Sequence, residues 1–444
     1  MRYSKTLLTA LAASVLMFTS CAVIASDSSA ELSSAAAAQA ETAAETPAET
    51  SLPTTTGKTV PEYTGDTHTT SDTPAEAQTE ETSAEPSDTS DEAERLLAEM
   101  SIEEKVGQLF VIRPEQLSGS ISEDGIENDN EDGMIAVSDG MAEVAEKYHI
   151  GGYALFARNI DTPEQLKKLT SDLREISDIP PMLLIDEEGG EISRIAGNVN
   201  FPDVPVYPNM HYIGSTGDTE LAKQAGSSIG SYLAEYGFTC DLAPVADINS
   251  NPYNIVIGER AFGDDADTVS AMVSAFADGM HSAGMSCCLK HFPGHGDTAA
   301  DTHDGYVSVS KSWEELCRLE LRPFVENMDQ ADMIMTAHIT LENVTDDGLP
   351  ASLSKQLVTD KLRGELGYEG IIITDALAMG AVADNYGSAT ACVMALDAGN
   401  DILLMPENIK QAYAAVLDAV RNGSISEQRL DESVLRILKF KLGR

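Results

Sequence analysis

The chain has 444 residues, 42% of them hydrophobic, and a formal charge of −45 at pH 7. That length exceeds one ordinary domain but suits an α/β barrel with additions, and the apolar fraction supports a large core. So strong an acidic excess excludes nucleic acid, whose phosphates it would repel, and electrostatic docking on anionic lipid.

In chain order, Arg2 and Lys5 form a basic start, and residues 7–18 form an apolar run too short to span a bilayer comfortably. The run ends in Phe18, Thr19, Ser20 and Cys21, which resembles a bacterial lipobox, although leucine is preferred where Phe18 stands. That resemblance implies a signal peptide over 1–21 and lipidation of Cys21, which would hold the protein on the outer face of the cell membrane. Cleavage after Ala25 would instead release a secreted protein. Residues 22–90 are dominated by Ser, Thr, Ala, Glu and Pro, with Lys58 as the one lysine or arginine. Such a segment cannot bury enough apolar surface to offset its chain entropy, so it reads as a disordered acidic tether. Cys240, Cys287, Cys288, Cys317 and Cys392 lack paired spacing and read as buried thiols rather than a disulfide framework.

Order begins near Asp91, which with Glu94 reads as the capped start of a helix over 92–100. Ser101 with Glu104 is a second start signal, leading into 106–112 as a first strand. Further apolar runs at 152–156, 182–185, 238–242, 285–289, 333–335, 370–373 and 402–404 alternate with helical patterns. Strands apolar throughout and separated by helices imply a parallel sheet covered on both faces. The number of repeats predicts a single α/β domain over 91–444, a closed (β/α)8 TIM-like barrel, with an open doubly wound sheet as the alternative. Asp186, Asp247, Lys290 with His291, His338 and Asp375 each follow an apolar run, where barrel enzymes keep their chemistry. An acidic loop over 115–139 is placed on the same face. Residues 426–442 form a closing amphipathic helix, and the chain is expected to be a monomer.

The densest chemistry lies in 290–303. Lys290, His291, His295, Asp297, Asp301 and His303 surround a turn containing Pro293, Gly294 and Gly296. The stretch matches K-H-[F/I]-P-G-[H/L]-G-x-x-x-x-D-[S/T]-H at every fixed position. The chain from about Asp91 onward therefore resembles the barrel domain of family 3 glycoside hydrolases, in the β-N-acetylglucosaminidase (NagZ-type) branch. Matches at 186–190 with Arg194, at 243–247, at 258–263 and at 373–375 extend the resemblance.

The resemblance implies a retaining β-N-acetylglucosaminidase with no cofactor and no metal, acting on amino-sugar oligosaccharides from peptidoglycan or chitin. Retention needs a nucleophilic carboxylate and a proton donor on opposite faces of the sugar. The family assigns the first role to Asp375, kept ionised by Thr374 and nearby backbone, and the second to His303, oriented by Asp301. It places Asp186, Arg194, Arg260, Lys290 and His291 around the terminal sugar. Gly294 and Gly296 read as hinges of a closing loop, and His295 and His338 as weaker candidates for contact. Glu187 stands where glutamine is common, and Ala376 where aspartate is common. Two alternatives stay open: a phosphorylase using the same site, and a sugar-binding lipoprotein without catalysis. A metal held by His291, His295 and His303 is disfavoured because Pro293 and Gly294 spoil helical spacing.

Overall fold

The structure, a computed structural model, describes residues 86–118, 133–177, 179–298, 302, 305 and 307–443. Cys21, the signal peptide, the tether up to residue 85, Asp301 and His303 lie outside the described residues.

The strands are β1 (Phe110–Ile112), β2 (Gly152–Leu155), β3 (Met182–Ile185), β4 (Cys240–Asp241), β5 (Ser286–Phe292), β6 (Val307–Val309), β7 (Met333–Thr336), β8 (Ile339–Leu341), β9 (Ile371–Thr374) and β10 (Leu403–Leu404). Eight of them form one parallel sheet in the order β10-β1-β2-β3-β4-β5-β7-β9. A parallel bridge between Ile373 and Ile402 joins its two ends and closes the barrel expected from the sequence. Every residue of β2, β3, β7 and β9 is buried, as apolar strands between an inner core and an outer helical layer should be.

The helices turn one stripe inward. Leu166, Leu169 and Leu173 of Pro163–Glu175 are buried at helical spacing, and Thr162 caps its start by accepting from Gln165 N. The last helix, Glu427–Leu442, is capped by Ser426 and buries Leu430, Val434, Ile437 and Leu438. Of the described cysteines, Cys317 alone is exposed, and all are free thiols.

Three expectations need correction, and one pairing goes beyond them; Cys317, read as a buried thiol, is exposed. The first helix spans Pro86–Glu99, so the start read at Asp91 lies inside it. Residues 106–108 belong to the helix Ile102–Gln108 rather than to β1, because the Ser101–Glu104 capping box launches a helix that consumes them. The pairing of β6 with β8, which forms a separate two-stranded parallel sheet, carries too short a pattern to read in advance.

Barrel closure depends on a buried carboxylate. The Asp401 backbone N–H donates to the Ile372 carbonyl at 2.7 Å. Its side chain accepts from Ile372 N at 2.9 Å, Ser433 at 2.6 Å, Arg436 at 3.1 Å and Arg363. Removing that charge would strand the half-buried arginines around it. Asp401→Ala is expected to lower unfolding stability by about 3–5 kcal/mol, measured by urea denaturation at neutral pH. An unchanged midpoint would show that the closure does not depend on it.

Candidate active site

The C-terminal ends of the strands open into a cavity of ≈ 280 Å³ walled by Phe156, Asp186, Arg194, Arg260, Lys290, His291, His295, Thr302 and Asp375. Its charged wall is built around Lys290. Because β5 extends to Phe292, Lys290 leaves the strand with its side chain 3% exposed, and its Nζ lies 2.6 Å from both Asp186 Oδ1 and Glu188 Oε1. Arg260 donates to the second partner twice, Nε to Oε2 at 2.8 Å and Nη2 to Oε1 at 2.7 Å. This bidentate pairing fixes the guanidinium plane. Burial opposes charge on Glu188, but Arg260 and Lys290 outweigh it and hold the carboxyl below its usual range. Burial likewise works against the Lys290 ammonium, which Asp186 and Glu188 more than restore.

Arg194 lies above this set. Its guanidinium is 3.7 Å from Asp186 Oδ2 and 5.4 Å from the centre of the Phe156 ring. Its Nε is buried with no hydrogen-bond partner among the described residues. Asp186, with its side chain 20% exposed, keeps an edge toward the cavity.

His291 is aimed by Asp247. The fully buried carboxylate accepts from His291 N at 3.1 Å, from His295 N at 2.6 Å and meets His291 Nδ1 at 2.7 Å. Burial would raise the Asp247 carboxyl, but His291 holds it below its ordinary value. The Nδ1 of His291 is thereby taken, leaving Nε2 as the polar atom of a ring in the cavity wall. His295 meets Thr298 Oγ1 through Nδ1 at 2.9 Å, while its Nε2 is buried without a partner among the described residues. Burial, with the neighbouring His291, pushes His295 below the usual imidazole value, so it stays neutral at pH 7.

Asp375 follows β9. Its backbone N–H donates to Thr336 O at 2.9 Å, and its Oδ1 accepts from Ala376 N at 2.8 Å. Thr374 does not support it: its hydroxyl oxygen accepts from Leu404 N at 3.1 Å and ties β9 to β10. The brace comes from His338, whose Nε2 donates to Ala376 O at 2.9 Å while Nδ1 accepts from Ser352 Oγ at 2.7 Å. His338 therefore positions the turn after Asp375 and does not face the cavity.

Two further readings change. Gly296 is no hinge, because a Cβ there would come 1.7 Å from Ile248 O and its carbonyl accepts from Asn251 N. Gly294 has φ +118° with Glu320 against it, so it too serves a fixed backbone path. Glu187 turns away from the cavity, accepting from the backbone N–H groups of Ile195 at 3.0 Å and Ala196 at 2.8 Å, and from Tyr232 OH at 2.9 Å. It shapes the loop that carries Arg194.

The cavity thus unites Asp186, Arg194, Arg260, Lys290, His291 and Asp375. Asp301 and His303 lie outside the described residues, although Thr302 between them is in the cavity wall. Sequence reasoning missed the parts played by Glu188 and Asp247. The position of Asp247 beyond an apolar run was visible, but its partner depends on the tertiary meeting of two strands. The acidic loop of residues 115–139 is described only at its flanks, where Glu115 accepts from Met134 N at 3.2 Å and Asn159 Nδ2 at 2.6 Å.

Residues 101–440 match the family model described as Glycosyl hydrolase family 3 N terminal domain. Beta-hexosaminidase A of Pseudoalteromonas piscicida is 35% identical over 68% of this chain and 54% of that protein. A beta-hexosaminidase of Tolumonas auensis is 34% identical over 63% of this chain and 82% of the relative. Among solved structures, a glycoside hydrolase family 3 beta-N-acetylglucosaminidase from Paenibacillus sp. str. FPU-7 has 37% identity and a TM-score of 0.70, covering 78% of this chain and 63% of that one. The chain therefore spans about half the length of the Pseudoalteromonas relative.

The charge cluster makes a pH-dependent prediction. Glu188 has a depressed folded pKa, so its stabilising contribution is present above the unfolded value and is lost as pH falls. Glu188→Gln is expected to cost about 3–5 kcal/mol at pH 7. Chemical denaturation at several pH values should show the gap from wild type narrowing below about pH 4, near the unfolded glutamate pKa. A gap that widens on acidification would contradict this.

Proposed function

The chain belongs to glycosyl hydrolase family 3, and from that premise we propose a retaining exo-β-N-acetylglucosaminidase acting on peptidoglycan- or chitin-derived fragments. The observation that carries the proposal is a strand-end carboxylate, Asp375, in the wall of a small cavity that also holds a fixed array of sugar-hydroxyl partners. At ≈ 280 Å³ the cavity falls below the roughly 300–1,000 Å³ of drug-sized sites, which favours one terminal sugar over an enclosed chain. Met335, Met379, Leu404 and Met405 in its wall supply an apolar side suited to the acetamido methyl.

In the first step Asp375 attacks the anomeric carbon, the glycosidic C–O bond breaks, and the departing oxygen takes a proton from His303. Asp301 orients that imidazole and stabilises its cation. In the second step a water gives its proton to His303 and attacks the same carbon, releasing Asp375 and a β-configured sugar. Thr302 supports the placement of this pair. It lines the cavity, and its carbonyl accepts from Ala381 N at 3.1 Å, just beyond Asp375 in the chain. Histidine suits the role because its unperturbed pKa, about 6.5, lets it donate and recover a proton near neutrality. Lys290, Asp186, Arg194, Arg260 and His291 hold the sugar hydroxyls. We extend the proposal to location: lipidated Cys21 and the acidic segment after it hold a monomeric catalytic barrel outside the cell membrane.

Asp375→Ala is expected to abolish turnover of an aryl β-N-acetylglucosaminide, while His303→Ala slows poor leaving groups about 10²–10⁴-fold and activated aryl groups far less. A steady-state series across leaving-group pKa measures this, and equal slowing throughout would remove His303 from the acid role. Mass spectrometry of products formed in phosphate buffer should find free N-acetylglucosamine; a sugar 1-phosphate would mean phosphorolysis.

A further inference from the structure

At the opposite end of the barrel, three side chains of different chemistry meet. His281 is in the last turn of the helix Ala266–Ser282, Cys287 is near the start of β5, and Asp332 directly precedes β7. His281 Nε2 lies 2.8 Å from Asp332 Oδ2 and 3.8 Å from Cys287 Sγ, and the three ligand atoms are all within 4.8 Å of one another. Lys290 lies three positions beyond Cys287 along the strand, about 10 Å at strand rise, so the cluster is distinct from the sugar cavity.

We propose that His281, Cys287 and Asp332 form a tetrahedral site for a zinc-class divalent cation, with the fourth position turned to solvent. One imidazole, one thiolate and one carboxylate are a donor set that suits zinc. With metal–ligand distances of about 2.3 Å to sulfur and about 2.0–2.1 Å to nitrogen or oxygen, a tetrahedral ion needs N···S near 3.6 Å and N···O near 3.3 Å. The observed separations differ from these by a few tenths of an ångström, and the His281 and Asp332 side chains, 38% and 30% exposed, have room to adjust. Their exposure also opens a path for the ion from solvent. Cys287 Sγ, which donates to the Gln330 carbonyl at 3.5 Å, also stands 3.8 Å from the imidazole nitrogen that meets Asp332 and so occupies the third corner. Binding of the ion replaces the Cys287 thiol proton, which passes to solvent. The bound ion ties together the end of a helix, the start of β5 and the residue before β7. It would therefore brace the barrel floor and take no part in sugar chemistry.

Cobalt(II) added to the chelator-treated full chain provides the probe, since a thiolate ligand gives a charge-transfer band in the near ultraviolet. The expected result is a band that saturates at one equivalent of cobalt, is displaced by zinc, survives in Cys317→Ser and disappears in Cys287→Ser. His281→Ala, at a half-exposed position, should weaken the cobalt affinity by at least about tenfold, since even outer-shell partners of a metal ligand carry that much. A wild-type chain with no saturable thiolate band, or a band that persists in Cys287→Ser, would overturn the site.

Discussion

The candidate site depends on one buried ammonium. Lys290 cannot keep its charge inside the barrel without carboxylates, and Asp186 and Glu188 cannot keep theirs without it. Their mutual satisfaction joins the end of β5 to the end of β3, and Arg260 adds a third chain segment through Glu188. The charged groups of the candidate site are therefore held by one another before any ligand arrives. Such preorganisation lowers the entropic cost of aiming several donors at a small polar ligand.

The same logic recurs in the other carboxylates. Asp247 gathers His291 and the backbone of His295, and Asp401 gathers β9, β10 and the last helix. Asp241 is the contrast. It is fully buried, accepts from Glu187 N at 2.9 Å and leaves Oδ2 without a partner among the described residues. Burial pushes it well above the usual carboxylate value, opposite to the direction in which Glu188 and Asp247 move. Environment separates the roles of acids that look alike in sequence.

The barrel was legible because its strands are apolar on both faces. Met182–Ile185 and Ile371–Thr374 appear almost where their apolar runs place them. The error at 106–108 arose where an apolar run follows a strong helix start, and the local capping bonds won. The charged residues at strand ends were also readable, since a buried strand that breaks into ionisable groups is seldom accidental. Their pairings were not readable. Glu188 and Glu187 are neighbours in sequence, yet one meets Lys290 and Arg260 while the other braces backbone. The difference follows from which way each side chain leaves the turn after β3. Gly296 was misread for a related reason, because close approach to Ile248 is a tertiary constraint that sequence does not record.

The proposed mechanism requires a covalent bond between Asp375 and the sugar. The direct measurement uses an activated N-acetylglucosaminyl substrate, fluorinated on the ring to slow the second step, followed by proteolysis and peptide mass spectrometry. One glycosyl unit per chain, carried on Asp375, is the expected result. An adduct on another residue, or full inactivation of turnover without any adduct, would contradict it.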